Sequence, residues 1–416
     1  MLTNNRWVRN FSALCFMVYF CSYITRINFG AVVSEIIVAE GILKSSASAV
    51  ITAGFIFYGI GQIFSGFLGD HIAPNRMISW GLGTTAFLNL LIPFCAGVEQ
   101  MTIIWSLNGL AQSMLWPPLV RVMSEMIPSD QFGKGCVSVS IAASIGTITV
   151  YLFGPVLIIT SGWRLVFFVC GTITIAAAGI WTVGFSRLRR RASADMPPTS
   201  KPIARPNDSI DIASIRKIAI TSGLIYIILG IVLQGALRDG ITTWIPSYLS
   251  ETFQLKNSVA ILMTVALPIV SILTFQITSQ LQKRVFKNEL ACAAFLYAIG
   301  FGALLLLSFF SSFNALLSIA LSSIVTGSMH GVNLMLVVML PRRFSRFGRI
   351  SGISGILNFF TYLGSALSTF CIADLIESYD WHKSILLCAT AAFVGLFVCS
   401  LCVKRWSIFT SEANGV

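Results

Sequence analysis

Two arginines lie inside long apolar runs of this sequence, where a membrane-spanning helix would hold them in the hydrocarbon layer. Arg26 lies deep in the first apolar run, and Arg238 lies at a like depth in the first apolar run of the second half. An arginine at the bilayer centre costs about 2.5 to 17 kcal/mol, depending on the method, so it is expected to serve a function. A guanidinium can donate two parallel hydrogen bonds to a carboxylate or phosphate. The two residues are therefore predicted to bind one anion.

Aromatic and acidic residues accompany the two arginines. Tyr19, Tyr23 and Arg26 are spaced i, i+4 and i+7, so on a helix they share one face. This spacing predicts that both tyrosines line the pocket of the guanidinium. Asp239 follows Arg238 directly, and three roles stay open for it. It is a counter-charge to an arginine in the empty site, a protonatable coupling group, or a carboxylate that faces water at the outer mouth.

Three polar residues in later apolar runs are further candidates for the pocket. Intramembrane polar groups usually face a cavity or pair within the protein. His330 is therefore interpreted either as a hydrogen-bonded interior residue or as a pocket residue. Asn358 and Tyr362 are spaced i and i+4, which makes both candidates for hydrogen bonding to the bound molecule from one helix face.

The composition is that of an integral membrane protein. Of the 416 residues, 56% are hydrophobic and 11% are charged, whereas a soluble domain has about 25% charged residues. Apolar runs of about 20 residues can each cross a bilayer as a helix. The sequence predicts an all-α membrane protein with twelve such runs, at approximately 8–33, 48–68, 76–96, 101–123, 135–159, 163–185, 217–249, 258–281, 289–310, 314–340, 348–375 and 382–403.

Basic residues divide the chain and orient it. Residues 186–216 hold an arginine cluster followed by Pro and Ser, and they are predicted to be a basic cytoplasmic linker between an N-terminal half, 1–185, and a C-terminal half, 217–416. With both termini and the linker in the cytoplasm, most Lys and Arg fall on the cytoplasmic side, as the positive-inside rule requires. The net charge of +12 is therefore attributed to loops beside anionic lipid. A nucleic-acid partner is not predicted.

The arrangement of the two halves points to transport rather than to catalysis. Two six-helix halves with polar groups at matching depth are typical of secondary transporters, whose sites lie near the bilayer midplane at the repeat interface. The sequence has no GxxxxGK[ST] phosphate loop, no metal-ligand spacing and no Ser/His/Asp arrangement. Neither an enzyme nor ATP-driven pumping is therefore predicted, and no metal or cofactor is expected.

The loop after the second apolar run resembles the cytoplasmic signature of the major facilitator superfamily, G-x-L-x-D-R with a basic residue shortly after. Residues 66–71 read GFLGDH, so His71 replaces the usual Arg. Asp70, Arg76 and Arg121 are predicted to lie at the cytoplasmic end. They form either a solvated loop or a set of charge pairs and helix-end contacts that holds a gate shut in the outward-facing state.

Three stretches are similar to the organophosphate:phosphate antiporter family of that superfamily, which includes the bacterial glycerol-3-phosphate and hexose-phosphate transporters. Residues 23–29 resemble its first helix, residues 108–121 its fourth and residues 237–249 its seventh. The resemblance implies the major facilitator fold, with twelve transmembrane helices in two pseudo-symmetric six-helix halves. It also implies that Arg26 and Arg238 are the two arginines of the family's pocket.

The pocket departs from that of the glycerol-3-phosphate transporter at two positions. The family's pocket tyrosines match Tyr19 and Tyr23, but Gln62 stands where that transporter has a Lys and Ser144 where it has a His. The pocket is therefore expected to be less cationic, with Gln62 as a candidate for binding the cargo.

The resemblance implies a secondary active transporter in the cell (inner) membrane. The expected cargo is a small organic anion, a phosphorylated metabolite that is exchanged for inorganic phosphate by alternating access. Proton-coupled symport of a carboxylate such as a sugar acid is the alternative, and a transporter-like sensor of sugar phosphates is a third possibility. A monomer surrounded by membrane lipid is expected.

Overall fold

The chain is built from helices joined by short turns. The computed structural model describes residue 2 and residues 4–194, 222–255, 259–260, 263–310, 313–347, 350–378 and 380–414. Most of the predicted linker 186–216 therefore lies outside the described residues, and the division of the halves at 185 and 217 stays a prediction. The chain forms two compact units, Met1–Pro206 with Phe344–Phe359, and Asn207–Arg343 with Phe360–Val416.

Seven α-helices follow one another along residues 4–194 of the first unit. Asn4 begins the first of them, because its side chain accepts a hydrogen bond from the Arg6 backbone N–H at 2.8 Å. Gly41 ends that helix in the left-handed conformation, with φ of 62°. The helices are α1 (Asn5–Glu40), α2 (Lys44–His71), α3 (Pro74–Leu91), α4 (Val98–Ser113), α5 (Trp116–Met126), α6 (Ser129–Ser161) and α7 (Trp163–Ala194).

The second group of helices carries the later apolar runs. Asn288 and Asn314 begin two of them, since each side chain accepts a hydrogen bond from a backbone N–H of the first turn. The boundary between the two units falls inside α12, after Phe359. The helices are α8 (Leu224–Phe253), α9 (Ala266–Leu281), α10 (Glu289–Phe309), α11 (Ala315–Asn333), α12 (Ile350–Ser378) and α13 (Trp381–Asn414).

Ten helices of the described chain are long and apolar enough to cross a membrane, judged by length and composition. The predicted run 101–123 is not among them, because a turn at Met114 and Leu115 divides it into α4 and α5. Pro117 and Pro118 fit the first turn of α5 but cannot continue a helix interior. The predicted run 258–281 is represented by α9, and parts of it lie outside the described residues.

Several helices extend beyond their apolar runs. The first run was predicted to end at residue 33, whereas α1 continues to Glu40, and α7 continues from residue 185 to Ala194. Hydropathy marks only the stretch that suits the hydrocarbon layer, whereas a helix ends where its last carbonyls find other partners. The last helix likewise continues past the predicted residue 403 to Asn414.

Glycines allow two close helix crossings, one in each unit. In the first unit, a Cβ at Gly66 of α2 would lie 2.9 Å from the Ser351 carbonyl oxygen of α12, and a Cβ at Gly355 would overlap the Gln62 carbonyl oxygen. In the second unit, a Cβ at Gly235 of α8 would overlap the Thr361 carbonyl oxygen of α12. These backbones can approach so closely only because the glycines have no side chain.

Candidate functional site

Arg26 is held by aromatic rings within the first unit. The residue is only 9% exposed on α1. Its guanidinium carbon lies 4.1 Å from the centre of the Tyr23 ring and 4.8 Å from the centre of the Tyr58 ring. The faces of aromatic rings attract a cation, and this attraction grows where water is excluded. The two rings therefore stabilise the charge and restrict where the guanidinium can lie.

A cavity of about 230 Å³ opens beside this guanidinium, within the first unit. Residues of α1, α2, α4 and α6 line it, and its aromatic wall is held by a packed cluster in which the Phe29 and Trp105 rings lie 5.0 Å apart. One cation, two amides and several aromatic rings suit an anion with a small organic part. The lining residues that can make polar contacts are Arg26, Tyr58, Trp105, Asn108, Gln112 and Tyr151.

The two predicted tyrosines lie on the same face of α1 but differ in their surroundings. Tyr23 contacts the Arg26 guanidinium directly. Tyr19 is buried one turn earlier, with its ring 5.2 Å from the Tyr23 ring and 4.8 Å from the Trp116 ring. Tyr19 therefore supports the Tyr23 ring that contacts the guanidinium, and its direct contact with cargo stays a prediction.

Buried amides and hydroxyls join α1, α3 and α4 behind the cavity. We call Thr25, Thr85, Asn89, Asn108 and Gln112 the amide network. Both Asn89 and Asn108 donate through Nδ2 to the Thr25 carbonyl oxygen, at 3.2 and 3.1 Å. Gln112 donates to the Thr25 and Thr85 hydroxyls at 2.8 and 2.9 Å. The network therefore fixes the turn of α1 that carries Arg26.

Arg238 forms an ion pair with the residue that follows it. Its Nε and Nη2 atoms donate to Oδ1 and Oδ2 of Asp239, each at 2.7 Å. Consecutive helical side chains diverge by about 100°, but the long arginine side chain reaches across. Ser365 of α12 donates to Asp239 Oδ2 at 2.5 Å. In the second unit, Asp239 is thus a counter-charge to Arg238, and its role in coupling stays a prediction.

His330 lies half-buried on α11 in hydrogen-bonding contact with its own helix and with α9. Its Nδ1 lies 2.8 Å from the Thr326 carbonyl oxygen and 3.2 Å from the Ser271 hydroxyl. Its ring packs edge-on against Phe275, with 5.6 Å between ring centres. These contacts agree with a hydrogen-bonded interior histidine, and a role in binding cargo stays a prediction.

The remaining pocket candidates have unlike environments. Gln62 is fully buried on α2, and neither of its amide atoms has a hydrogen-bond partner among the described residues. It is absent from the lining of the cavity beside Arg26. Asn358 of α12 donates to the Tyr58 hydroxyl at 3.5 Å, a long contact within the first unit. Tyr362 lies half-buried one turn later, and the binding roles of all three stay predictions.

Asp70 caps the start of α12 within the first unit. Its Oδ1 accepts a hydrogen bond from the Ser351 backbone N–H and its Oδ2 one from the Gly352 N–H, both at 2.9 Å. The carboxylate is 1% exposed. A negative charge at a helix N-terminus satisfies free N–H groups and favours the helix dipole. Asp70 is therefore a helix-end contact rather than part of a solvated loop.

The two arginines that the sequence places with Asp70 differ from each other. Arg121 of α5 donates through Nη1 to the carbonyl oxygens of Gly69 and Asp70, at 2.5 and 2.8 Å, and forms an ion pair with Glu125 at 2.7 Å. It therefore caps the C-terminal end of α2. The side chain of Arg76 is exposed near the start of α3, and no ion pair is recorded for it within the described chain.

Sequence reasoning missed the residues that tertiary packing brings to Arg26. Tyr58 contacts the guanidinium from α2, but its position in an apolar run carries no signal for that contact. Asn108 and Gln112 line the cavity together. Their i, i+4 spacing in an apolar run was the available signal, since polar residues there usually face a cavity.

Comparisons with known proteins agree with this architecture. The sequence matches the model of the Major Facilitator Superfamily over residues 15–369. A bacterial homologue of the iron transporter ferroportin, solved in an outward-facing state, superposes with a TM-score of 0.72 at 11% identity. The superposition covers 95% of this chain and 99% of that one. At this identity the likeness concerns the fold alone, and it supports the predicted twelve-helix architecture.

Two relatives carry names that concern phosphorylated molecules. A glycerol-3-phosphate transporter from Bacillus subtilis is 23% identical over 409 residues, which cover 93% of this chain and 90% of the relative. A probable hexose phosphate transport protein from Chlamydia pneumoniae is 27% identical over 187 residues. That match covers 45% of this chain and only 40% of the relative, so the chain spans less than half of its length. The family resemblance predicted from the three sequence stretches is confirmed, at low identity.

Proposed function

Since the chain belongs to the major facilitator superfamily, whose model matches residues 15–369, we propose that it exchanges a phosphorylated metabolite for inorganic phosphate across a membrane. The observation that carries this proposal is the Arg26 guanidinium beside the cavity of the first unit. A cation held in a membrane-spanning helix is costly unless an anion or water meets it. The cavity beside the guanidinium is where an anionic cargo would meet that charge.

The chemistry of the guanidinium favours an oxyanion. Its planar fork matches two oxygens of a phosphate or a carboxylate, which an ammonium group cannot do. The names of the relatives favour phosphate over carboxylate. Exchange is expected because the arginines need an anion in both directions of the transport cycle. When the protein returns with inorganic phosphate bound, that phosphate presents them with the same anionic group as the phosphorylated cargo. Such coupling requires only that each anion bind the two conformations differently.

Arg238 is proposed to bind the same anion as Arg26. Its guanidinium already forms two hydrogen bonds with Asp239, so an arriving oxyanion competes with that carboxylate for the donors. Asp239 would then neutralise the Arg238 guanidinium whenever the cargo is absent, so the cargo could bind and leave without exposing an uncompensated charge. The coupling between substitutions of the two arginines, measured in a double-mutant cycle, tests whether they act on one anion.

Proton-coupled symport of a carboxylate remains a second candidate because of one observation. Asp239 is an acid in a helix that is apolar enough to span a membrane, and it pairs with Arg238. A proton on that carboxylate would release the guanidinium, which is one way to couple proton and anion movement. Symport would require a proton gradient for accumulation, whereas exchange would not.

Reconstitution distinguishes these proposals. Liposomes that contain the full-length protein and internal inorganic phosphate are placed in radiolabelled phosphate, with and without an imposed proton gradient. Exchange that proceeds equally without the gradient supports the proposed antiport. Accumulation of gluconate that requires the gradient would replace it by symport, and binding without any flux would indicate a sensor.

We further propose that Asp70 and Arg121 stabilise one conformation at the cytoplasmic side. Asp70 caps α12 and Arg121 caps the end of α2, both within the first unit. Contacts of this kind are made in one arrangement of the helices and lost in another, so they bias the equilibrium between two states. Both termini are proposed to lie in the cytoplasm of a cell whose inner membrane holds the protein, on the basis of the positive-inside rule.

A further inference from the structure

We propose that Asn108 is a cargo-binding residue that donates a hydrogen bond beside Arg26, and that Thr85 and Asn89 hold its amide in the donating orientation. The inference rests on the proposed function in one respect, namely that an oxyanion occupies the cavity beside Arg26. It adds a neutral donor to the cation and assigns positioning roles to two residues that do not line the cavity.

The amide orientation of Gln112 follows from its contacts. Its Nε2 atom has two hydrogens, and they are donated to the hydroxyls of Thr25 and Thr85 at 2.8 and 2.9 Å. Its Oε1 accepts a hydrogen bond from the Ser22 hydroxyl at 2.7 Å. Gln112 lines the cavity, but both of its N–H groups are already used within the protein.

The direction of the next hydrogen bond is then fixed. The Thr85 hydroxyl accepts from Gln112, so its single hydrogen is free to be donated, and its partner is Asn108 Oδ1. Asn89 Nδ2 also lies 3.3 Å from that oxygen, which is the longest of three acceptor contacts that share its two hydrogens. Asn108 Oδ1 therefore accepts its main hydrogen bond from Thr85 and a weaker, shared one from Asn89, so this end of the amide is used within the protein.

The other end of the Asn108 amide keeps one unused donor. Its Nδ2 donates one hydrogen to the Thr25 carbonyl oxygen at 3.1 Å, and no other acceptor for Nδ2 is recorded in the described chain. An amide nitrogen carries two hydrogens. Of the two cavity-lining amides, Asn108 is therefore the one with a hydrogen left for a ligand, and an acceptor-rich oxyanion fits it.

Asn89 serves as the anchor of this arrangement. It is fully buried on α3 and also donates to the Thr85 carbonyl oxygen at 2.9 Å, while its own Oδ1 accepts from Asn28 at 2.8 Å. Asn28 and Asn108 both belong to the stretches that the sequence singled out. The contacts of a buried hydrogen-bond network favour one orientation of each amide, so the loss of a member lets Asn108 rotate.

The chain offers a matched control for the hydroxyl of Thr85. Thr174 on α7 is also fully buried in the first unit, but its hydroxyl donates to the Cys170 carbonyl oxygen of its own helix at 2.8 Å. Thr85→Val and Thr174→Val each remove one hydroxyl from a fully buried threonine. Only Thr85→Val removes a member of the amide network.

The test is anion binding by the purified full-length protein, followed by tryptophan fluorescence because Trp105 lines the cavity. Inorganic phosphate and gluconate are the two probes, and melting temperatures establish that each variant is folded. We expect Asn108→Ala to weaken binding about tenfold or more, as for a hydrogen bond to a charged group. We expect Thr85→Val to weaken it about threefold to tenfold, Thr85→Ser to restore it, and Thr174→Val to leave it unchanged.

Any result that differs from these expectations contradicts one specific claim. Unchanged binding by folded Asn108→Ala removes Asn108 from the site while the proposed function stands. An equal loss in Thr85→Val and Thr174→Val removes the positioning role, and the same conclusion follows if Thr85→Ser fails to restore binding. If the wild type binds gluconate but not phosphate, the proposed phosphate exchange fails and Asn108 is judged on gluconate. A wild type that binds neither anion overturns both proposals.

Discussion

The Arg238 guanidinium and the Asp239 carboxylate are joined by two parallel hydrogen bonds, each 2.7 Å long, although the residues are adjacent in sequence. Both residues lie on α8, and Ser365 holds the second carboxylate oxygen. The donors that suit an oxyanion are thus occupied by an internal carboxylate. The strength with which cargo binds to Arg238 therefore depends on how readily Asp239 gives those donors up.

Replacing Asp239 tests this competition. In Asp239→Asn the neutral amide holds the guanidinium less strongly, so we expect a lower KM for the exchanged anion and a lower maximal rate, because release becomes slower. Each change is expected to be about threefold to tenfold. Initial rates of phosphate exchange in liposomes between pH 6 and 8 provide the measurement. A raised KM would contradict the competition, and a pH dependence that disappears in this variant would support proton coupling instead.

Exchange should require the planar guanidinium at both pocket arginines, and not only a positive charge. Arg26→Lys keeps the charge but loses the planar fork and its contact with the Tyr23 and Tyr58 rings, so exchange should fall by about 100-fold or more. Arg238→Lys should do the same. Uptake is measured alongside the amount of protein in the membrane. Arg164→Lys is the control, since Arg164 forms an exposed ion pair with Glu40. Near-normal exchange in Arg26→Lys would refute the assignment.

The ring of Tyr58 should matter more than its hydroxyl. Its ring centre lies 4.8 Å from the Arg26 guanidinium carbon, whereas the hydroxyl has a long 3.5 Å contact with Asn358. Tyr58→Leu should therefore weaken anion binding by about tenfold, and Tyr58→Phe by about threefold or less. Equilibrium binding of inorganic phosphate measures both. Equal losses in the two variants would show that the hydroxyl carries the effect.

The cap that Asp70 forms at the start of α12 should stabilise the folded protein. Asp70→Asn removes the charge and one acceptor from the start of α12, so one N–H group there loses its partner. We expect a loss of about 1 to 3 kcal/mol from the free energy of unfolding, seen as a lower melting temperature. Glu99→Gln is the matched control, because Glu99 lies exposed in the first turn of α4. Equal melting temperatures for Asp70→Asn and the wild type would contradict the capping role.

Periodicity and charge predicted the architecture and part of the cavity wall. Arg26 and Tyr23 share a face because residues three apart are separated by about one helical turn, and this relation needs only the sequence. The contact between Arg26 and Tyr58 depends on how α1 packs against α2, which local spacing does not contain. The extra length of α1 up to Glu40 was likewise invisible, because hydropathy ends where lipid contact ends.

The contacts among the polar residues behind the cavity could likewise not be predicted from local sequence. Thr25, Asn89 and Asn108 stand in apolar runs, and each is individually recognisable as an unusual intramembrane polar group. Their pairing requires the register of three helices, to which a single sequence gives no access. Pro117 and Pro118 are the opposite case, because proline lacks a backbone N–H and the interruption before α5 follows from the residue type alone.

The glycine crossing of α2 and α12 makes the first unit sensitive to a single methyl group. A Cβ at Gly355 would overlap the Gln62 carbonyl oxygen, and a Cβ at Gly66 would lie 2.9 Å from the Ser351 carbonyl oxygen. Neither obstacle is a side chain that could rotate away. A Gly355→Ala chain can therefore populate only conformations in which these two helices stand further apart. This one substitution therefore separates the contribution of the close α2–α12 approach from that of the side chains around it.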